Sequence, residues 1–408
     1  MRPGSAGFVG GRLREAREAR GLTGPALAEL LGVSRQAISQ YEIGTSTPHP
    51  ELVERLAQLL NVPKPFFFRA PGKEESHVIF FRSMSAATKA ARTRAYRKYG
   101  WLRDITVQIS ERVNLPQVDI PTVNGDFESF GGEEIETAAA AARYHFGLGD
   151  LPVPHVVRVL ENHGAIVSRI PLEADTLDAF SEWCGDLDRP FVVLGADKGS
   201  FTRSRFDAAH ELGHLVLHRS VNQAQLSKTA NFSLLEQQAN RFAGAFLLPA
   251  GPFTHDFIVP ALSAFEALGE KWLVSVASMV HRTGVLGLVT DDELRRLWMA
   301  ASRRGLRLHD PLDGRMEPEQ PILLAAALRL LVDNRVISPP TILGSVCLHS
   351  RDAADLSGVS PAFFNSGEPA PIVELRGRAS ASTSAISNQV PGEVVPFLRK
   401  PRDRNPRD

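Results

Sequence analysis

Between residues 8 and 61 apolar positions recur at helical spacing, at Leu13, Leu22, Leu27, Leu30, Val33, Ile38, Leu52, Leu56 and Leu59. Gly21, Gly32, Gly44, Pro48 and Pro50 break the run, so the pattern predicts a small all-helical domain of short helices. Phe66, Phe67 and Phe68 close its core, and the connector Pro63, Pro65, Pro71 and Gly72 sets the domain at 1–72. A connector of residues 73–132 follows. Within it seven basic residues (Arg82, Lys89, Arg92, Arg94, Arg97, Lys98 and Arg103) and no acidic one share a stretch with Tyr96, Tyr99 and Trp101. This predicts a basic helix, either solvated or packing in a dimer, with an auxiliary phosphate contact as the alternative.

A second unit spans 133–250. Strong helix formers from Glu133 end at Gly147, and a second helix runs from Pro154 to Asn162 with Gly164 past its end. The period then changes: Ala165–Ile170, Ala179–Trp183 and Phe191–Leu194 are short β-branched or aromatic runs and predict strands. Helices return at 202–218 and 234–248, the latter stopped by Pro249. Residues 251–364 continue in a helical pattern, and 365–408, rich in Ser, Pro, Gly and Arg, predict a disordered tail. The fold class is α+β and predominantly helical: an all-α N-terminal domain, a central α+β domain and a helical C-terminal region.

A length of 408 residues suits two to four domains. Lys plus Arg equal Asp plus Glu at 46 each, yet the first hundred residues hold 16 basic and 8 acidic side chains, against 30 and 38 in the remainder. That asymmetry points to a polyanionic partner for the front of the chain alone. Two distant cysteines, Cys184 and Cys347, are too few for a disulfide framework and fit a reducing compartment. With no apolar leader and no membrane-spanning run, the expectation is a cytoplasmic protein.

Residues 24–39, GPALAELLGVSRQAIS, place a small Ala28 four positions before a turn Gly32, with Val33 and Ile38 bracketing the next helix. Two steeply crossed helices need a small residue at the close approach, a turn glycine and inward apolar residues. Ser34 then caps the second helix, and Arg35, Gln36, Ser39 and Gln40 lie at its outward start, where base edges and phosphates are met. With Tyr41, Glu42, Gly44 and Pro48 following, residues 8–61 resemble the XRE (Cro/repressor-type) helix-turn-helix family. Gly24 stands where that family often has a Gln touching the DNA backbone. The resemblance implies double-stranded operator DNA as a partner, bound as a homodimer on paired half-sites.

His210-Glu211-Leu212-Gly213-His214 sits in a helical pattern, and a spacing of four puts both imidazoles on one face, where one Zn²⁺ takes both. Glu211 is the base for a zinc-activated water. Twenty-two residues after His214, Glu236 opens EQQANRFAGAFLLP, whose Ala239, Phe242, Ala243 and Phe246 form an apolar stripe. If that stripe packs on the first helix, Glu236 faces the histidines as a third ligand, giving the His₂Glu set of thermolysin-like peptidases. His218 continues the four-residue series as a candidate fourth ligand, supporting donor or transition-state stabiliser. Arg203 and Arg205 are candidates for stabilising an oxyanion. The stretches ARYHFGLGDLPVP, RSRFDAAHELGHLVLH and EQQANRFAGAFLLP together resemble the ImmA/IrrE family of metallopeptidases. That implies a zincin-like central domain, zinc ligands His210, His214 and Glu236, catalytic Glu211, and a repressor-type protein as substrate, in trans or in the chain itself. Asp207 and Gln238 replace a Thr and a Glu frequent in relatives. A non-proteolytic regulator using the zinc domain as a ligand or metal sensor is the alternative, as is a toxin–antitoxin or mobile-element regulator.

Overall fold

A computed structural model of the chain describes residues 4–70, 80–81, 89–174 and 177–365. Pro71, Gly72, Arg82 and the expected disordered tail beyond Asn365 lie outside the described residues.

The N-terminal unit comprises α1 (Gly10–Ala19), α2 (Gly24–Leu31), α3 (Arg35–Ile43) and α4 (Pro50–Leu60), closed by a 3-10 turn at Lys64–Phe68. Thr23 and Ser34 cap α2 and α3, accepting from the amides of Ala26 and Ala37 at 3.2 and 3.1 Å. Gly32 ends α2 with φ +65°, a left-handed conformation that stops the helix and turns the chain toward α3. Leu13, Leu27, Ala28, Ile38 and Leu56 are buried together. Arg17 on α1 grips Glu42 at the end of α3 through two bonds of 2.5 and 3.0 Å, fixing the orientation of α3.

Strand β1 (Phe80–Phe81) precedes α5 (Lys89–Ser110). α5 departs from the solvated basic helix that its charge predicts. Its Ala95, Tyr99, Trp101, Leu102, Ile105 and Ile109 are buried in the same cluster as the N-terminal unit and one sheet face. The Trp101 indole donates to Glu15 at 2.8 Å, and Tyr99 sets its ring against Phe180 and Phe191 at 6.2 and 5.4 Å. The basic groups are used inside the molecule: Arg97 bonds Glu18 (2.8 Å), Arg94 bonds Glu173 (2.5 Å) and Arg103 bonds Asp186 (3.1 Å).

After α6 (Gly132–His145) and α7 (Val156–Asn162) come β2 (Ile166–Ile170), β3 (Ala179–Cys184) and β4 (Arg189–Gly195). The sheet order is β1-β3-β4-β2, with β2 parallel to β4 and the other neighbours antiparallel. Alternation of side chains splits it into two faces. Ile166, Ile170, Phe180, Cys184, Phe191 and Val193 join the cluster around α5, whereas Val167, Ala179, Val192 and Leu194 join the cluster around α8 (Phe201–Leu217).

The short α9 (Gln223–Leu226) leads into α10 (Thr229–Leu247), then α11 (Ala250–Asp256), α12 (Leu262–Trp272), α13 (Val276–Val285) and α14 (Asp291–Arg303). Helices α15 (Leu323–Asp333), α16 (Pro339–Val346), α17 (Ser350–Ser357) and α18 (Pro361–Asn365) return to the first cluster, beside α5 and the N-terminal unit. There Arg20, just past the end of α1, pairs with Asp352 of α17 through bonds of 2.7 and 2.6 Å. Among the described residues no helix is long and apolar enough to cross a membrane, and both cysteines are free and buried.

Candidate functional site

α8 is almost wholly buried although it carries Arg205, Asp207, His210, Glu211 and His214, so its polar groups must find partners inside the domain. Its start is pinned by Asp313, which accepts from the Thr202 amide at 2.9 Å and the Ser200 hydroxyl at 2.8 Å. α10 approaches it at Gly213, where an added Cβ would stand 3.1 Å from the Phe242 ring and 3.3 Å from the Ala239 Cα. The glycine inside the HExxH stretch thus marks a close approach of the two helices, and that approach carries Glu236 to the histidines.

His210 Nε2 and His214 Nε2 lie 3.1 Å apart, with Glu236 Oε1 at 3.2 Å from the second and Oε2 at 3.6 Å from the first. The ligand atoms of the three residues all fall within 4.8 Å of one another. Their outer atoms are also engaged. His210 Nδ1 meets Asn240 Oδ1 at 3.0 Å. His214 Nδ1 meets His218 Nδ1 at 2.9 Å, and His218 Nε2 meets Gln238 Oε1 at 2.9 Å. The Gln238 amide nitrogen donates to the Phe127 and Phe130 carbonyls at 2.7 and 3.0 Å.

This chain of bonds fixes the imidazole protons. Because the Gln238 nitrogen faces two carbonyls, its oxygen is the acceptor and His218 Nε2 is the donor. Burial, reinforced by His214 beside it, holds His218 well below the usual histidine range, so it is neutral and its Nδ1 accepts. His214 Nδ1 is therefore the donor, which leaves a lone pair on Nε2, aimed at His210 and Glu236. Burial would raise the Glu236 carboxyl, but its closeness to His210 and His214 outweighs burial and holds it at about 2. Imidazole lone pairs and an ionised carboxylate converging within a few ångströms form a place that calls for positive charge. The donor set, two nitrogens and a carboxylate with supporting bonds behind them, fits zinc.

Gln238→Leu keeps the volume but removes the acceptor that sets the relay. It is expected to weaken zinc affinity about 10- to 100-fold, read by competition with a chromophoric chelator; an unchanged affinity would sink this account of the proton positions.

Glu211 is fully buried on the face of α8 that meets the sheet, where the Ser181 hydroxyl of β3 donates to its Oε2 at 2.6 Å. Asp207, one turn earlier, lines a cavity of about 240 Å³ with Arg169, Asp178 and Ser204. Neither candidate arginine faces the histidines. Arg203 bonds Asp178 at 2.6 Å. The buried Arg205 donates to the Val153 and Leu273 carbonyls at 2.6 and 3.0 Å and to Glu319, whose other oxygen accepts from the Val157 amide at 2.9 Å. Sequence reasoning missed Asn240, Ser181 and the relay role of Gln238; the four-residue steps from Glu236 to Asn240 and from His214 to His218 were the available signals.

At the other end of the molecule Ser34, Arg35, Gln36 and Ser39 are exposed on α3 and Gln40 is half-buried, while Ile38 faces the core.

Residues 9–65 match the family described as a helix-turn-helix domain, and residues 160–283 match the one described as an IrrE N-terminal-like domain. An uncharacterized HTH-type transcriptional regulator of Sinorhizobium medicae is 42% identical over 65 residues, which are 16% of this chain and 47% of that protein. The SPbeta prophage-derived uncharacterized HTH-type transcriptional regulator YonR of Bacillus subtilis is 32% identical over 62 residues, 15% of this chain and 57% of that protein. The chain thus spans about half the length of the curated relatives it matches. With the α2–α3 geometry and the His210–His214–Glu236 cluster, these matches show an XRE-type helix-turn-helix domain joined in one chain to an IrrE-like metallopeptidase domain.

Proposed function

We propose that the protein is a cytoplasmic DNA-binding regulator of transcription whose zinc peptidase domain cuts a repressor-type protein, in trans or in its own chain, and so relieves repression. The observation that carries the reading is the convergence of His210, His214 and Glu236 beside Glu211. Zinc held by these three residues supplies a Lewis acid that activates water toward a peptide carbonyl. The protein's own part is proton handling: the Glu211 carboxylate, oriented by the Ser181 hydroxyl, takes the proton of the attacking water and returns it to the departing peptide nitrogen. At the DNA end, Ser34, Arg35, Gln36, Ser39 and Gln40 would enter the major groove, with a homodimer reading two half-sites.

Elemental analysis of the purified chain beside His214→Ala tests the metal: about one zinc per chain is expected, lost in the variant, and no zinc in either would end the reading. Arg35→Ala is expected to weaken binding to DNA selected by the native chain from a random pool, by about 1–3 kcal/mol if Arg35 reads a guanine.

A non-proteolytic sensor has its own support in the burial of the site, where His210 and Glu211 are 0% exposed and His214 1%. The two readings part at Glu211→Gln, which leaves a sensor's regulation of a reporter unchanged and abolishes a peptidase's.

A further inference from the structure

A groove of about 680 Å³ opens where three segments meet: the start of α8, the start of α13 and the connector that follows α14. That volume is in the range of small-molecule sites, and the groove shares no residue with the metal cluster or with α3. Its two acids are already engaged. Asp313 accepts from the Thr202 amide and the Ser200 and Thr202 hydroxyls, and Asp310 accepts from the Val276 and Leu312 amides at 2.8 and 3.0 Å. The cations are less occupied. Lys198 and Arg203 share the single carboxylate of Asp178, at 2.5 and 2.6 Å. Arg307 is exposed and has no carboxylate partner among the described residues. Its Cζ stands instead 5.3 Å from the centre of the Trp298 ring, which orients the guanidinium and leaves its N–H donors unspent. His309 is likewise exposed and without an acid partner among the described residues. On the α13 side the Ser275 hydroxyl donates to Ser278 Oγ at 2.9 Å, so Ser278 keeps its own proton for an acceptor in the groove. The rest of the wall is apolar, with Phe206 half-buried, Leu306 buried and Leu308 79% exposed.

We propose that this groove binds a phosphorylated small molecule with an apolar body, of nucleoside phosphate size, with Arg307, His309 and Ser278 on the phosphate and Phe206, Leu306 and Leu308 against the body. A guanidinium fork and a hydroxyl suit a group that offers several acceptor oxygens. Each simpler occupant leaves one wall unsatisfied. An inorganic anion would leave the leucines wet, and a neutral apolar molecule would cover Arg307 without a partner, which costs free energy. The site goes beyond the peptidase reading and stands without it. Phe206 lies four residues before His210, about 6 Å along the helix axis. A bound body would therefore rest on the turn of α8 that precedes the metal histidines and fasten the connector to that helix, which places the ligand as a signal read by the metal domain.

The test is titration calorimetry on the full-length chain, with the four common nucleoside 5′-monophosphates, the matching nucleosides and inorganic phosphate as probes. At least one monophosphate is expected to bind, at least tenfold more tightly than inorganic phosphate or its own nucleoside. Binding by no monophosphate, or equal binding by either fragment, overturns the proposal. Arg307→Ala is expected to weaken the monophosphate at least tenfold, the effect of losing a charge-assisted hydrogen bond. Arg295→Ala removes an exposed arginine of α14 outside the groove and is expected to leave binding unchanged. Equal losses in the two variants would mark a diffuse charge effect and overturn the site. His214→Ala separates the groove from the metal. Monophosphate binding kept in that variant supports the groove whatever becomes of the peptidase reading, whereas binding lost there and kept in Arg307→Ala would put the phosphate on the metal and overturn the proposal.

Discussion

In Glu211→Gln, zinc content is expected to stay at about one ion per chain while peptide hydrolysis falls at least about a hundredfold, the usual contribution of a placed general base. The substitution is nearly isosteric, and Glu211 lies outside the cluster formed by His210, His214 and Glu236. The Ser181 hydroxyl can still donate to the amide oxygen of Gln, so the position keeps its hydrogen bond and loses its basicity. Mass spectrometric counting of new termini in a mixed protein pool, with elemental analysis of the same preparations, separates the cases. Hydrolysis at the native rate would remove Glu211 from the chemistry. Loss of zinc would make it a structural residue, one that holds α8 on β3.

The largest expected effect on stability lies away from the metal. Glu319→Gln would strip the counter-charge from Arg205, whose side chain is 1% exposed and set between the 153–154 and 273 segments. Breaking one half of a buried pair typically costs about 3–5 kcal/mol, because the remaining charge stays buried. Urea unfolding midpoints compared at equal slope should show that loss, and a difference below about 1 kcal/mol would contradict it. Glu319→Leu combined with Arg205→Met should cost much less, since no charge is then left buried. The pH dependence has a definite sign. Burial would raise the Glu319 carboxyl, but the hydrogen bond from His155 and the Arg205 charge hold it below the ordinary 4.5. The clasp therefore contributes fully above that ordinary value and is lost as pH falls through the depressed one, so the native chain should lose acid stability there and Glu319→Gln should show less of that slope.

The parts legible in the sequence are those set within a few turns of chain. HExxH and the glutamate that follows read as two helices with one face in common, because helical spacing decides which side chains meet. The capped turn from Gly32 to Ser34 read as well, since Ser34 acts on an amide three residues away. The illegible parts join distant segments. α5 looked like a solvated basic helix because its charges stand in the sequence without partners; Glu18 lies 79 residues before Arg97 and Glu173 79 residues after Arg94. Arg205 looked like a surface arginine because Glu319, 114 residues on, has no local signal. The relay through Gln238 was equally hidden, because its meaning depends on two carbonyls of the segment around Phe127.

The packing of α1 on α5 and the ion pair just past its end with α17 have a consequence for any cut at the β1 strand. α1 to α4 lie before that strand and α5 after it, so hydrolysis there would sever the covalent link between them while leaving Trp101–Glu15, Arg97–Glu18 and Arg20–Asp352 in place. The scission would not itself eject the DNA-binding fragment. It would replace a tethered contact, with an effective concentration of order millimolar, by an ordinary bimolecular one at the cellular concentration of the protein. Release would then follow dilution, complete where the protein is scarce and partial where it is abundant, so that copy number would set how strongly a single cut is felt at the operator.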